Sequence, residues 1–304
     1  LKFAYFKGEI VPFEKATVGI MTHALNYGTG VFEGIRAYWN ADQEQAYILK
    51  LKEHYQRMLR SCKVMHIKVD PTIADLIKIT IELVKKNGYK EDLYIRPLAY
   101  KSEEKIGLGL HGVEDDLAIY VAPFGNYLDV SKGIKVMVSK YRRISSHSMP
   151  PGAKLTGTYF NSSLAKAEAV SCGFVEAITL SHSGNVAEGS GENLYMVKNG
   201  RLITPPLSDD ILPGITRFAI MDLAKKELKI KVIEKSFKPA ALYKADELFF
   251  CGTGAQISPI VQVDRKKIGD GKVGPIAEKL QKLYFSAVRG ENPKYKKWLT
   301  PVYK

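Results

Sequence analysis

The chain has 304 residues, 45% of them hydrophobic and 25% charged, which excludes a disordered polymer and leads to one or two globular domains. The net charge of +13 comes mostly from lysine (only ten of the 45 basic residues are Arg), spread among acids, so it reads as a solvated Lys/Glu surface rather than a nucleic-acid face. No run of eighteen apolar residues, no secretory signal in Leu1–Phe13 and no CxxC spacing among Cys62, Cys172 and Cys251 are found. A cytoplasmic protein without membrane helix, disulfide framework or metal site is therefore expected.

Short strands open the chain, and Tyr47–Leu51 alternates as a strand running into a helix over 52–65. Asp70 as N-cap, with Pro71 behind it, predicts a second helix that Gly88 closes. Its Ile73, Leu76, Ile77, Thr80, Leu83 and Val84 share one face. Strand patterns follow over 93–100 and 117–123, and residues 124–133, rich in Gly, Asn, Asp and Ser, form the expected interdomain linker. Beyond it come a strand over 134–139, a polar loop with Arg142 and Arg143, a helix over 161–171, and strands over 177–180 and 194–197. Asn199-Gly200 suits a type I′ hairpin. A helix over 215–227, strands over 231–234 and 247–251, a hairpin through Gly269-Asp270-Gly271 and a helix over 276–288 complete the chain. Strands and helices do not alternate as regular βαβ units, which gives an α+β class with two domains, 1–123 and 134–304.

Common catalytic motifs are missing: there is no GxxxxGK[ST], HExxH or GxSxG, and Gly28-Thr29-Gly30 with Gly34 misses dinucleotide spacing by one residue. Several glycine-punctuated polar loops remain. Leu212–Arg217 runs into a helix whose start offers backbone N–H groups to an anion. Cys251–Ala255 places Thr253 in a small-residue turn after a strand, and Ala187–Asn193 puts Glu188 and Glu192 beside an amide. Pro150–Lys154 sets one lysine among small residues, where a lowered amine pKa would make a nucleophile.

Taken in order, these segments resemble the branched-chain aminotransferase family, class IV of the pyridoxal-phosphate transaminases. The resemblance is carried by HALNYGTGVFEGIR (23–36), EHYQRM (53–58), YIRPL (94–98), GAK (152–154), AEGSGENLY (187–195), LPGITR (212–217) and CGTGAQISP (251–259). It implies a fold-type IV enzyme related in fold to D-amino-acid aminotransferase, with a small N-terminal domain, a larger C-terminal one and the cofactor, pyridoxal 5′-phosphate, at their interface. Lys154 matches the lysine that carries the cofactor as a Schiff base and shuttles the proton. Glu188 matches the acid at the pyridine nitrogen and Tyr159 the phenol at the ring oxygen. Arg57, Ile215, Thr216 and Thr253 match the phosphate ligands.

For substrate, the resemblance implies Tyr94 and Arg96 for carboxylate recognition, and Thr253 and Gly254 for the α-carboxylate. It implies apolar walls from Phe32 and Tyr127, with Gly34 leaving room for a side chain. Tyr27 and the loop with Leu108 and Leu110 match parts given by a neighbouring subunit, so a homodimer or higher homo-oligomer is implied. The expected reaction is reversible ping-pong transfer of the amino group of L-leucine, L-isoleucine or L-valine to 2-oxoglutarate, within branched-chain amino-acid biosynthesis. Inside the same fold the alternative is a D-amino-acid aminotransferase or aminodeoxychorismate lyase. Outside it, a basic nucleic-acid-binding protein or a phosphosugar-binding protein would need neither Lys154 nor Glu188.

Overall fold

The structure is a computed structural model that describes residues 1–125 and 132–303. Contacts gather the chain into two compact units: Leu1–Gly125 with Ala153–Thr158 and Ser286–Lys304, and Asn126–Gly152 with Tyr159–Phe285. The continuous division expected at 134 therefore needs correcting at two segments. Leu155 makes an antiparallel bridge with Val31, and strand Leu299–Pro301 pairs with residues 47–49, so backbone hydrogen bonding draws both segments to the first unit.

In the first unit the strands are β1 (Phe3–Phe6), β2 (Glu9–Pro12), β3 (Gly30–Phe32), β4 (Ile35–Asn40), β5 (Gln45–Leu49), β6 (Leu93–Lys101) and β7 (Asp115–Pro123). Among the described residues they and Leu299–Pro301 form one sheet, ordered Leu299–Pro301, β5, β4, β6, β7, β1, β2, with β3 also on β6. Every pairing is antiparallel. Along β6 the two-residue period buries Leu93, Ile95 and Ala99 and places Tyr94 and Arg96 together on the other face.

Helix α1 (His23–Tyr27) is short, while α2 (Leu51–Val64) and α3 (Ile73–Asn87) cover the sheet. The buried side of α2 carries His54, Arg57 and Ser61 at helical spacing beside Leu51, Tyr55 and Met58. The N-cap of α3 is Thr72, not the expected Asp70. Its hydroxyl accepts from the Asp75 N–H while the Asp75 carboxylate accepts from the Thr72 N–H, a reciprocal capping box that a cap two residues earlier cannot make. Gly88 ends the helix at φ 67°, as expected.

The second unit contains β8 (Ile134–Arg142), β9 (Glu176–Leu180), β10 (Val186–Gly189), β11 (Asn193–Lys198), β12 (Arg201–Thr204), β13 (Val232–Glu234), β14 (Glu247–Gly252), β15 (Gln256–Val263) and β16 (Lys266–Lys267). Their order is β10, β9, β8, β15, β14, β11, β12, β13, and β10 also pairs with β11, closing a ring of six strands. Its interior holds Ile134, Val136, Ile178, Val186, Leu194, Leu248, Phe250 and Ile260. Helix α4 (Tyr159–Ser171) seats Ala165 and Ala169 against Ala177, small residues that permit close approach. Helix α5 (Ile215–Lys226) follows Gly214, and α6 (Pro275–Val288) comes late in the chain. Asn199 and Gly200, at φ 49° and 68°, make the expected hairpin turn. The hairpin expected at Gly269–Gly271 instead turns at Asp264-Arg265, because Val263 pairs with Lys266.

Removing the cap hydroxyl in Thr72→Ala should lower the thermal midpoint by about 2 °C without changing the secondary-structure spectrum. Calorimetry checks this, and an unchanged midpoint would show that the box adds nothing to α3.

Candidate active site

Lys154 lies in the first unit, half-buried, and its backbone is fixed on both sides. Its N–H donates to Ser61 Oγ at 3.0 Å and its carbonyl accepts from the Phe32 N–H at 3.1 Å. The next residues are laced to the strand before Phe32. Thr156 Oγ1 donates to Gly28 O at 2.7 Å and accepts from the Gly30 N–H at 3.1 Å. Gly28 is required here, since it sits at φ 66° and a Cβ would stand 2.8 Å from Gly157 Cα. The lysine Nζ is 4.8 Å from the centre of the Phe32 ring, and the Arg96 guanidinium is 4.6 Å from the same ring.

Beneath this segment lies a buried charge cluster. Glu33 is wholly buried and meets Arg57 at two points: Nε to Oε1 at 2.7 Å and Nη2 to Oε2 at 2.8 Å. His54 Nδ1 is 2.8 Å from Glu33 Oε2. Burial works to raise the Glu33 pKa, but the Arg57 charge and hydrogen bond, followed by those of His54, hold the carboxyl well below the usual range. Burial depresses His54, so its imidazole stays neutral and donates through Nδ1.

On the half-buried face of β6, Arg96 Nη2 donates to the Tyr94 hydroxyl at 2.7 Å. A Cβ on Gly34 would stand 2.3 Å from that hydroxyl. The glycine thus makes room for Tyr94. Tyr27 and the loop with Leu108 also meet: the Gly107 N–H donates to the Tyr27 hydroxyl at 3.1 Å. The Gly107 carbonyl lies 2.8 Å from His23 Nε2. Leu108 itself is 80% exposed, and Leu110 is half-buried. Tyr127 falls outside the described residues.

In the second unit, Glu188 is buried at the end of β10 and held by three groups. Asn193 Nδ2 and the Leu212 N–H donate to its Oε2 at 2.9 and 3.1 Å, and Arg143 Nε lies 3.0 Å from Oε1. Asn193 also donates to Leu212 O, tying the acid to the approach of α5. Gly214, the residue before that helix, must lack a side chain, because a Cβ would meet Asn193 Oδ1 at 2.0 Å. Ile215 and Thr216 are then the first helical residues, buried, with N–H groups that have no acceptor within the helix. Thr253 and Gly254 sit in the turn between β14 and β15, and a Cβ on Gly252 would touch the Gly191 carbonyl at 3.5 Å. Tyr159 is the first residue of α4.

The fold thus gathers Lys154, Arg57, Phe32, Gly34, Tyr94 and Arg96 within one unit, and Glu188, Ile215, Thr216, Thr253 and Gly254 within the other. The first unit holds an amine and a guanidinium, and the second, by itself, a helix start and a buried acid. The same geometry adds Glu33, His54, Asn193 and Arg143, whose roles sequence reasoning missed. The i, i+3 spacing of His54 and Arg57 on one helix was the available signal for two of these partners sharing a face.

The amino-transferase class IV family matches residues 30–263 of the chain. The chain belongs to the class IV aminotransferases. A probable branched-chain-amino-acid aminotransferase of Aquifex aeolicus is 49% identical over 303 residues, covering 100% of this chain and 97% of the relative. The branched-chain aminotransferase of Thermoproteus uzoniensis, solved with norvaline, has a TM-score of 0.95 at 45% identity, with 99% of each chain covered. That of Thermobaculum terrenum, solved in its PLP form, also has a TM-score of 0.95, at 36% identity over 100% of this chain and 99% of its own.

Glu192, buried just before β11, supplies a pH test of the second unit. Burial first, then the charge of Glu176, push its pKa up to about 8. An unfolded glutamate loses its proton near 4.5, so the folded state binds more protons between these values and stability falls as pH rises from about 5 to 8. The neutral isostere Glu192→Gln should therefore gain stability relative to the parent across that window. Denaturant unfolding at pH 5 and pH 8 checks it, and an equal difference at both pH values contradicts the assignment.

Proposed function

We propose that this class IV aminotransferase moves the amino group of L-leucine, L-isoleucine or L-valine to 2-oxoglutarate, reversibly, with pyridoxal 5′-phosphate as cofactor. The observation that carries the reading is Lys154: one amine, fixed at its backbone by Phe32 and by Ser61, whose hydroxyl also donates to the carbonyl of buried Arg57. The full-length likeness to branched-chain aminotransferases, one solved in its PLP form and one with norvaline, supports cofactor and substrate class.

Lys154 would hold the cofactor covalently, and its Nζ, when free, would take and return the proton of the substrate Cα. Arg57, the Ile215 and Thr216 N–H groups and Thr253 would bind the phosphate. Tyr159 would donate to the ring oxygen. Glu188 would hold a proton on the pyridine nitrogen, and the three groups gripping it fix which way it faces. The cofactor so bound supplies the electron sink for the reaction.

Arg96, steadied by the Tyr94 hydroxyl, would receive the distal carboxylate of glutamate, and Thr253-Gly254 the α-carboxylate. The reading includes a cytoplasmic homodimer or higher homo-oligomer. Ile20, Leu25, Ile106 and Leu108 are 85, 62, 82 and 80% exposed, on two segments bridged by Thr22 and Glu104. Such an apolar surface suits a second copy, to which Tyr27, Leu108 and Leu110 would contribute. Among the described residues no helix is long and apolar enough to cross a membrane.

Lys154→Ala should abolish leucine–2-oxoglutarate exchange and the visible absorption of the lysine-bound cofactor while leaving the fold intact. Turnover at the parent rate in this variant would refute the reading. Gly34→Ala, which drives a Cβ into the Tyr94 hydroxyl and so disturbs Arg96, should raise KM for glutamate more than KM for leucine. Equal changes for both donors would separate the Tyr94–Arg96 pair from dicarboxylate recognition.

A further inference from the structure

We infer that Glu33 is a positioning residue for phosphate recognition: it sets the plane of the Arg57 guanidinium by a two-point contact, with His54 as a brace behind it. The inference rests on the reading of Arg57 as a phosphate ligand and goes beyond it, because Glu33 acts only through Arg57.

The geometry leaves Glu33 little other employment. Its carboxylate is wholly buried and receives three N–H groups, Arg57 Nε on Oε1 and Arg57 Nη2 with His54 Nδ1 on Oε2. A guanidinium on a four-bond stem is set in plane and rotation once two adjacent donors are fixed on a carboxylate fork. The rest of the support is equally local. Ser61, one turn beyond Arg57 on α2, donates from Oγ to the Arg57 carbonyl at 3.1 Å and accepts from the Lys154 N–H. The Phe32 N–H, next in sequence to Glu33, donates to the Lys154 carbonyl. Strand end, helix and lysine segment are therefore one hydrogen-bonded frame, and Glu33 is the part of it that touches the guanidinium.

Two effects of Glu33 on an anion at Arg57 oppose each other. Its charge repels the anion, and its grip orients the fork that receives it. Glu33→Asp separates them, because it keeps the charge and withdraws the carboxylate by one methylene. Pyridoxal phosphate and pyridoxal differ only in the phosphate, so the ratio of their affinities isolates the phosphate contact, whereas a general loss of stability moves both ligands together.

The full chain, stripped of bound aldehyde with hydroxylamine, would be titrated with each compound and followed by visible absorption. In Glu33→Asp the preference for pyridoxal phosphate over pyridoxal should fall on the order of tenfold, as when the orienting partner behind a ligating side chain is removed. A preference equal to or above the parent's overturns the inference. If the aspartate variant does not fold, Glu33→Gln replaces it: its single amide oxygen cannot accept all three donors, so the preference should fall again. A rise there would show that charge outweighs orientation, and would overturn the inference too. Failure of the parent chain to bind pyridoxal phosphate would instead defeat the underlying reading of the site.

Discussion

A guanidinium removed from water must keep an anion beside it, and this requirement organises the first unit around Arg57. Glu33 answers the charge at two atoms, His54 completes the carboxylate's hydrogen bonding, and all three are buried. Burial, with smaller contributions from the charges of Arg57 and Lys154, holds the His54 pKa down against the pull of Glu33. Removing one partner of such a pair is far more costly than never having built it. The strand that bears Glu33, the helix that bears Arg57 and the segment that bears Lys154 are thereby tied to one another's geometry.

The second unit solves a different problem, that of aiming a carboxylate. Glu188 lies on a strand that closes a six-stranded ring, and Asn193, the Leu212 N–H and Arg143 meet its oxygens. Asn193 reaches both the acid and the chain entering α5, so one amide fixes the acid relative to the helix start. Gly214 is the steric condition for that arrangement. Acid and helix start are consequently held as one rigid group on a closed sheet, well suited to a ligand with a proton-accepting end and an anionic end.

Much of this was legible in the sequence, for identifiable reasons. Helical periodicity located α2, α3, α4 and α5, and Asn199-Gly200 placed a hairpin, because these are local signals. The motifs around Lys154, Glu188 and Gly214 carried the family resemblance because each is compact in sequence. What escaped was non-local. Pairing of Leu155 with Val31 and of Leu299–Pro301 with β5 reassigns two segments between units, and no local pattern encodes a partner more than a hundred residues away. Likewise no local pattern shows that the Cβ position of Gly34 is filled by Tyr94, sixty residues on. Thr72 rather than Asp70 caps α3 because only Thr72 has an acid at the third helical position.

The central claim is that one amine, Lys154, is the point of covalent attachment. Borohydride reduction of the chain loaded with pyridoxal phosphate, followed by peptide mass mapping, tests it directly. The expected product is a single phosphopyridoxyl group on the peptide containing Lys154, at one per chain. A group fixed on another lysine, with Lys154 unmodified, would contradict the account.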